Sequence, residues 1–478
     1  MIQLAALIDG KPVTTAAEVP VEDPSTGEVL ASTADCGPTE IGLAVQAAQA
    51  ASRSWRRASV PERARVLRRL SALIERYAES LGRLESQQTG KPLRQALRDA
   101  EITVRYFDFY ASAVETFYGS AFALDEHTSV QTSWEPHGVT GHIIPWNYPL
   151  QILGRSIAPA LAMGNCTVLK PAEEAPLTAL KIGELALEAG LPPGALNVVT
   201  GYGETAGAAL TAHPGVGHLS FTGSVEVGRI ISHAAAERLI PVTMELGGKS
   251  PNILFADADL DRAVPVIVNA ILQNAGQTCS AGSRLLVEES VHEAVTARIA
   301  KIFAGVRIGP ALDDPDLGPL ISGPQRDRVI SYLTALGQDG RSGRISYGGE
   351  PLSGGRFGNG YFFQPTLIDD VASGSTMFRE EVFGPVLAVT PFRTADEAVE
   401  LANGTDYGLV AGVWTSDIST AQRMIRDVVS GQVFVNTYGA SGGVELPFGG
   451  FKRSGYGREK GAEGLRGFAQ LKTAVIAS

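Results

Sequence analysis

Short apolar runs alternate with helical stretches from residue 138 onward, and this alternation constrains the fold more than any other feature. Amphipathic segments such as 174–189 and 203–212 separate the runs, which read VTGHII, CTVLK, LNVVT, HLSF and PVTMEL. Strands that alternate with helices are joined by right-handed crossovers into a parallel sheet, which binds nucleotides at the carboxyl ends of its strands. The five runs therefore predict one doubly wound α/β domain of the mononucleotide-binding kind.

A second alternating region begins near Pro251 and indicates another α/β domain. It contains a helical segment at 258–273 and the apolar runs NILF, SRLLVEES, PVLAVTPF and GLVAGVWT. A chain of 478 residues exceeds what one hydrophobic core usually covers, and 44% hydrophobic residues are enough to fill two cores. Because ligands often bind between domains, we expect the cleft between the two domains to hold the functional site.

The first third of the chain reads as scaffold. A strand-rich start (ALIDGKPV, VEDPSTGEVL) precedes a helix whose first turn carries a capping box of Ser59 and Glu62 and a proline, Pro61. Apolar residues at helical spacing then predict one buried stripe. The stripe consists of Val66, Leu67, Leu70, Ile74, Tyr77 and Leu81.

Composition excludes several classes of protein. The net charge of −11 argues against nucleic-acid binding, and no run of 18 apolar residues predicts a membrane span. Residues 1–16 lack the pattern of a secretory signal, and three scattered cysteines cannot form a disulfide framework. We therefore expect a cytoplasmic protein with no metal, nucleic-acid or membrane partner.

Cys279 is the most informative cysteine because of its neighbours in NAGQTCSAGSR. A thiolate that faces a substrate needs small neighbours and free backbone N–H donors, and Gly276, Thr278, Ser280 and Gly282 supply both. The alternative is a buried structural cysteine, which is the commoner kind. The segment thus favours a nucleophile without excluding a core residue.

Two further polar residues follow apolar strands. Glu245 ends a strand before two glycines, and burial there would raise the pKa of its carboxyl toward that of a general base for water. Asn147 lies between Trp146 and Tyr148, with a proline on either side, so its amide is rigidly held and suited to a developing oxyanion. An exposed helix cap and an ordinary turn asparagine are the alternatives.

Two strand ends fit a nucleotide. SFTGSVEVG places Gly223 and Ser224 in a strand-turn-helix that can offer backbone N–H groups to a phosphate. Lys170 ends a buried strand, and Glu173 can accept both hydroxyls of a ribose while repelling an added phosphate. An ordinary turn and a surface ion pair are the alternatives.

Seven motifs together resemble the aldehyde dehydrogenase superfamily across nearly the whole chain. They are PWNYP, LKPAE, FTGS, MELGGKSPNI, GQTCSAGSR, EEVFGPV and PFGGFKRSGYGRE. The resemblance implies two doubly wound α/β domains, one for the cofactor and one for catalysis, and a small β oligomerisation element. The implied segments are an NAD-binding domain of 1–117 and 137–247 joined by 454–468, a catalytic domain of 248–453, and oligomerisation strands at 118–136 and 469–478.

The resemblance also implies an NAD(P)-dependent oxidation of an aldehyde to a carboxylic acid. Cys279 would form a thiohemiacetal, Asn147 and the Cys279 N–H would hold the oxyanion, and Glu245 would activate water against the resulting thioester. The cofactor would be NAD, with NADP as an alternative that Glu173 disfavours. The implied cofactor-binding residues are Ile144, Trp146, Lys170, Glu173, Gly203, Phe221, Gly223, Ser224, Leu246, Glu381 and Phe383.

The resemblance places a substrate tunnel beside the helix that follows PWN. Its implied residues are Tyr148, Gln151, Ile152, Arg155, Thr278, Ser280 and Phe448. Relatives carry apolar or aromatic residues where Gln151 and Arg155 lie, so we hypothesise a polar, aromatic or carboxylated aldehyde anchored by Arg155. The alternative is an Arg155 ion pair, for example with Glu101.

Other activities and the assembly remain open from the sequence. A CoA-acylating relative would release the thioester to CoA, but such enzymes usually lack the glutamate found at 245. An inactive structural or binding relative is disfavoured because all three catalytic positions are intact. The resemblance implies a homodimer or a homotetramer, joined through the strands at 118–136 and 469–478. The alternation AFALDEHTSVQTSWEP separately predicts an exposed strand pair that needs a partner.

Overall fold

The computed structural model describes residues 2–339, 342–439 and 443–477. Residues 1 and 478, at the ends of two implied segments, lie outside the described residues. So do 340, 341 and 440–442 within the implied catalytic domain.

An eight-stranded sheet forms the first layer, and all five apolar runs from residue 138 onward are its parallel strands. Gly455–Tyr456 adds an antiparallel strand at one edge, and a hairpin from the start of the chain covers the other edge. In spatial order the strands are Gly455–Tyr456, Val242–Glu245, His218–Thr222, Val139–Ile144, Cys166–Pro171, Leu196–Val198, Ala6–Ile8 and Lys11–Val13.

Helices cover both faces of this sheet and share one core with it. They are Pro38–Trp55, Val60–Arg76, Ala78–Thr89, Leu93–Ala113, Pro149–Ala162, Leu177–Glu188, Ala208–Ala212, Val225–Arg238 and Gly461–Gly467. The capping box is confirmed, because the Ser59 hydroxyl accepts from the Glu62 N–H while the Glu62 carboxylate accepts from the Ser59 N–H. The single predicted stripe is wrong at its end: Tyr77 leaves helical geometry (φ −102°, ψ 11°), so Leu81 lies on the next helix.

A seven-stranded sheet with its own core forms the second α/β layer, and the four predicted runs after Pro251 all contribute strands to it. Six strands are parallel, and one edge strand is antiparallel. In order they are Arg344–Tyr347, Thr366–Asp369, Val386–Phe392, Arg284–Glu288, Pro251–Leu254, Val410–Trp414 and Gln432–Val435. Its helices are Leu260–Leu272, His292–Ala304, Gly323–Asp339, Thr376–Arg379, Ala395–Asn403 and Ile418–Asp427.

A three-stranded antiparallel sheet extends the structure further. Ala469–Ala477 pairs with Thr128–Pro136 along nine residues, and Ala121–Ala123 pairs on the other side. Its exposed apolar side chains include Phe122, Val475 and Ile476. The predicted fold of two doubly wound domains and a small β element is therefore confirmed.

Smaller strands complete the described structure. They are Ile2–Leu4, Glu18–Asp23 and Glu28–Ala34 in one sheet, Pro351–Leu352 with Phe362–Phe363, and Tyr407–Gly408 with Phe451–Lys452. Among the described residues, no helix combines the length and the apolar character needed to cross a bilayer. The exact domain boundaries stay predictions.

Candidate active site

A cavity of about 990 Å³ opens between the helices Leu93–Ala113, Pro149–Ala162 and Leu260–Leu272. Cys279 lies on its wall together with all seven residues that the sequence assigned to a substrate tunnel. They are Tyr148, Gln151, Ile152, Arg155, Thr278, Ser280 and Phe448. Helices and loops that belong to both α/β layers meet here, so the cavity has the position that the alternating sequence pattern predicted.

Cys279 follows a run of left-handed backbone. Asn274, Ala275 and Gly276 have φ values of 49°, 54° and 72°. A Cβ at Gly276 would lie 2.0 Å from the carbonyl oxygen of Gly384, so only glycine fits there. The Asn274 N–H donates to Gln95 Oε1 at 3.0 Å, which fixes the loop to the neighbouring helix. This bend turns the chain from the helix Leu260–Leu272 toward the cavity wall.

The Cys279 thiol is partly exposed to the cavity. Burial raises the pKa of the thiol to about 11, although the nearby Arg155 guanidinium acts in the opposite direction. No backbone hydrogen bond of the described residues uses the Cys279 N–H. The site therefore offers a protonated thiol beside a free N–H donor, and the thiol must lose its proton as it attacks an electrophile.

Glu245 ends the strand Val242–Glu245 and is 2% exposed. Neither carboxyl oxygen has a hydrogen-bond partner among the described residues. Burial raises the pKa of Glu245 well above its ordinary value, the Glu459 carboxylate raises it further, and Arg155 acts to lower it. A buried carboxyl without a partner is ready to bind and deprotonate a small polar molecule such as water.

Asn147 is buried beside the Cys279 loop. Its Nδ2 donates to the Gln277 backbone carbonyl oxygen at 3.0 Å, and the backbone carbonyl oxygen of Asn147 accepts from Asn274 Nδ2 at 2.9 Å. An amide nitrogen carries two donors, so one N–H of Asn147 Nδ2 remains for a ligand. One side-chain and one backbone hydrogen bond thus hold Asn147 to the Cys279 loop.

Several of the residues predicted to bind the cofactor lie at the carboxyl ends of the strands of the first sheet. Lys170 Nζ lies 2.7 Å from Glu173 Oε2, and the lysine is 2% exposed while the glutamate is partly open. Ser224 caps the helix Val225–Arg238, with its hydroxyl accepting from the Val227 N–H at 3.2 Å. A Cβ at Gly223 would lie 2.5 Å from the Phe221 ring, so this turn requires glycine. Ile144 ends the strand Val139–Ile144, Leu246 follows the strand Val242–Glu245, and Gly203 begins the turn Gly203–Gly207.

On the opposite side of the cleft, Glu381 accepts from the Gly248 N–H at 3.0 Å. Burial raises the pKa of this carboxyl to about 7. A Cβ at Gly247 would lie 2.2 Å from Glu381 Oε2, so a glycine there allows the carboxylate to approach. Phe383 has a left-handed backbone (φ 60°), and its ring meets Trp146 edge-on at 5.4 Å between centroids. The predicted cofactor residues therefore come from both α/β layers.

The family model described as "Aldehyde dehydrogenase family" matches residues 13–474. This chain belongs to the aldehyde dehydrogenase family. Human retinal dehydrogenase 2 is 42% identical over 463 residues, which cover 96% of this chain and 88% of that protein. As an aldehyde dehydrogenase, the chain is an enzyme that oxidises aldehydes.

Solved structures agree with the family assignment. A putative aldehyde dehydrogenase from Burkholderia cenocepacia is 51% identical, with a TM-score of 0.96 over 99% of each chain. An aldehyde dehydrogenase from Bacillus cereus, described as an NAD+ complex, is 37% identical, with a TM-score of 0.96 over 99% of this chain and 96% of that chain.

Arg155 of this aldehyde dehydrogenase forms a buried ion pair with Glu459 and donates to Thr222 Oγ1 at 3.3 Å. Burial acts against its charge, but the carboxylates of Glu459 and Glu245 raise its pKa above the ordinary value. The predicted alternative, an ion pair of Arg155, is confirmed, but the suggested partner, Glu101, is wrong. Glu101 lies on the solvent side of its helix and pairs with Arg98 at 2.7 Å. The Arg155 guanidinium is thus already committed inside the protein.

Sequence reasoning missed Glu459, which completes what we call the Arg155 cluster: Arg155, Glu245 and Glu459. Glu459 is 1% exposed, and its Oε1 accepts from the Ser220 hydroxyl at 3.2 Å. The last residue of the motif PFGGFKRSGYGRE is Glu459, but nothing in the local sequence indicates a partner so far away in the chain.

Sequence reasoning also missed a second buried group, the Lys91 cluster of Glu85, Lys91 and Asp99. Lys91 Nζ pairs with Asp99 and lies 3.7 Å from Glu85 Oε1, and Gln151 Nε2 donates to Asp99. The same Nζ lies 3.9 Å from the centroid of the Tyr148 ring. The Tyr148 hydroxyl in turn lies 3.0 Å from Thr278 Oγ1. The Lys91 cluster thus holds Gln151 and Tyr148, which both line the cavity.

Proposed function

We propose that this enzyme oxidises an aldehyde to a carboxylic acid through a covalent thioester on Cys279, which water then hydrolyses. One observation carries the proposal. A partly exposed thiol lies on the wall of a large cavity, in the electrostatic field of a buried carboxyl, Glu245, that has no partner among the described residues.

In the first step the Cys279 sulfur bonds to the carbonyl carbon of the aldehyde, and the thiol proton passes to a water molecule in the cavity. Negative charge develops on the carbonyl oxygen, where a free N–H of Asn147 Nδ2 and the Cys279 backbone N–H supply two donors. Donors fixed before the reaction stabilise such an oxyanion without reorganisation. The product of this step is a thiohemiacetal.

Residues at the cleft fit a dinucleotide. Glu173 and Lys170 would hold the adenosine ribose, the glycine turn and helix at Ser224 would receive the phosphates, and Glu381 would contact the second ribose. NAD, when bound, supplies the acceptor for the hydride that leaves the thiohemiacetal carbon. The partly open Glu173 carboxylate favours NAD over NADP, because it would repel a phosphate on the ribose. We assign the eight-stranded sheet to the cofactor domain and the seven-stranded sheet to the catalytic domain.

Hydrolysis completes the cycle. Glu245 accepts a proton from a water molecule, the resulting hydroxide adds to the thioester carbon, and the carbon–sulfur bond breaks to release the carboxylic acid. The thiolate of Cys279 then recovers a proton. A raised pKa suits Glu245 for this exchange, because a carboxyl that titrates nearer neutrality both accepts and returns a proton readily.

The substrate in this proposal is a polar, aromatic or carboxylated aldehyde, and the protein acts in the cytoplasm. The exposed apolar residues on the three-stranded sheet support assembly of the enzyme as a homodimer or a homotetramer. Size-exclusion chromatography with light scattering measures that state directly.

Replacing Cys279 by serine tests the mechanism. We expect Cys279→Ser to lower kcat for NADH formation by at least about a thousandfold, because serine lacks an equally reactive anion. Cys166→Ser is the matched control, since Cys166 is fully buried in a strand of the first sheet and should retain most activity. Undiminished turnover by Cys279→Ser would refute the mechanism, and acyl-CoA as the product when CoA is added would favour the CoA-acylating alternative.

A further inference from the structure

Most of the charged side chains that line the cavity of this acidic protein are cations. Its wall contains five arginine or lysine side chains and two carboxylates, although the whole chain has a net charge of −11. The cations are Arg94, Arg98, Arg155, Lys301 and Lys460, and the carboxylates are Asp99 and Asp316. A low-dielectric cleft lined by one sign of charge concentrates the field of that charge and attracts ligands of the opposite sign.

Most of these cations already have carboxylate partners. Arg94 pairs with Asp314 and Asp316 at 3.2 and 3.0 Å, Arg98 pairs with Glu101, and Arg155 pairs with Glu459. An arginine held in this way cannot turn to a substrate without breaking its pair. Lys301 is exposed, so water screens its charge.

Lys460 differs from the other cations. No ion pair found among the described residues includes it, and its Nζ lies 5.1 Å from the centroid of the Phe448 ring and 6.0 Å from that of Tyr106. Its backbone is left-handed (φ 62°) and precedes the helix Gly461–Gly467, which fixes the direction of the side chain. Lys460 is partly buried, and a partly buried ammonium without a carboxylate partner gains more from an arriving anion than an exposed or paired one.

Burial, together with repulsion by Arg155, lowers the pKa of Lys460 to about 8. Near neutral pH the amine is therefore still largely charged. The other titratable groups that act on it are Cys279, Glu459 and Glu245. Lys460 is thus a titratable cation on the same cavity wall as the reacting thiol.

We propose that Lys460 is a specificity-determining residue that binds the carboxylate of the substrate, so that the preferred substrates are aldehydes that carry a carboxylate. This inference rests on the proposed function for the reaction at Cys279. Lys460 takes the place of Arg155 as the proposed anchor of the substrate, because the Arg155 guanidinium is held by Glu459.

Two matched substrate pairs test the inference. They are 4-formylbenzoate with methyl 4-formylbenzoate, and succinic semialdehyde with its methyl ester. We expect the wild-type enzyme to show a higher kcat/KM for the acid in at least one pair, and Lys460→Met to lower this acid-to-ester ratio at least tenfold. Lys460→Arg should keep the ratio within a few-fold, since it preserves the charge.

Two other lysines serve as controls. Lys301→Met removes an exposed cation from the same cavity, and Lys11→Met removes one from a distant hairpin. We expect both to change the acid-to-ester ratio less than threefold. An equal fall of the acid-to-ester ratio in Lys460→Met and Lys301→Met would overturn the assignment. An equal loss of kcat for acid and ester in Lys460→Met would overturn it too, as would a preference of the wild-type enzyme for both esters.

Binding of terephthalate, measured by calorimetry, separates this inference from the proposed function. If no aldehyde is oxidised, the proposed reaction fails, while weaker terephthalate binding by Lys460→Met than by wild type would still support the anion site. Equal binding by the two proteins, or none by wild type, would overturn it.

The pH dependence of the wild-type enzyme gives a test that needs no variant to fold. As pH rises through about 8, Lys460 loses its charge, so the acid-to-ester ratio of kcat/KM should fall. Titration of the thiol and of Glu245 affects both substrates alike and cancels in the ratio. A ratio that stays constant from pH 6.5 to 9.5 would contradict the inference, and in Lys460→Arg the ratio should stay constant.

Discussion

The Lys91 cluster and the Arg155 cluster contain the same set of charges but differ in how completely their carboxylates are hydrogen-bonded. Each buries one cation with two carboxylates, and each touches the helix Pro149–Ala162, at Gln151 in one case and Arg155 in the other. In the Lys91 cluster both carboxylates accept hydrogen bonds. In the Arg155 cluster the second carboxylate, Glu245, accepts none from the described residues.

This difference indicates that the Lys91 cluster has a structural role, whereas the Arg155 cluster contains a carboxyl that is able to react. Glu85 accepts from the Thr178 hydroxyl at 3.2 Å and the Leu150 N–H at 3.4 Å in addition to its contact with Lys91. A fully bonded buried network fixes geometry, whereas an unbonded buried carboxyl retains a strong affinity for a proton donor. The Lys91 cluster therefore positions the cavity wall, whereas the Arg155 cluster leaves Glu245, the proposed general base, without a hydrogen bond from the described residues.

Removing the unpaired carboxylate should have the largest effect on turnover. We expect Glu245→Gln to lower steady-state turnover by about 10²–10⁴-fold, because a general base is lost. A burst of NADH followed by slow turnover would show that thioester formation survives. Unfolding in urea should show no loss of stability, since the amide has the size of the carboxyl and, like its neutral form that burial favours, carries no charge. A retained kcat would contradict the difference between the clusters.

Breaking the fully bonded cluster should act on stability. Lys91→Met leaves Glu85 and Asp99 buried without their cation, so we expect the free energy of unfolding to fall by about 3–5 kcal/mol. Lys181→Met breaks an exposed pair with Glu184 and should cost at most about 1 kcal/mol. Equal losses in the two variants would show that the Lys91 cluster does not stabilise the fold as proposed.

Removing Arg155, the cation of the Arg155 cluster, should shift the pH profile of kcat. Arg155 lowers the pKa of Glu245, so Arg155→Met raises that pKa and confines the ionised base to higher pH. The acidic limb of the kcat profile, measured where thioester hydrolysis limits turnover, should move upward by about one pH unit. Arg83→Met, which breaks an exposed pair with Glu79, is the control and should not move it.

The smallest effect should come from Tyr148, which joins the Lys91 cluster to the catalytic loop. Tyr148→Phe loses the hydrogen bond to Thr278 but keeps the ring under Lys91, so we expect a loss of about 0.5–1.5 kcal/mol in stability and less than tenfold in kcat. Tyr148→Leu loses the ring as well and should be worse. Identical effects of the two variants would exclude a role for the ring.

Periodicity in the sequence was sufficient to predict the two parallel sheets, because each strand shows its burial in its own residues. Motifs that resemble those of the family named Cys279, Glu245 and Asn147 as catalytic residues, and these roles stay predictions. Glu459 and Lys91 could not be found by this reasoning, since their partners lie on remote elements and a single sequence carries no record of that contact. Arg155 shows the same limit, because its ion pair was foreseeable but its partner was not.

Three consecutive residues with left-handed backbone come shortly before Cys279, and Ala275 is the one whose side chain makes this conformation unfavourable (φ 54°). A non-glycine residue in that region lowers the free energy of unfolding by about 1–2 kcal/mol, so the shape of this loop reduces the stability of the fold. Engineering for heat tolerance has an obvious target in Ala275→Gly. A higher melting temperature there would come with a looser loop, and the variant would reveal how much of the turnover depends on its rigidity.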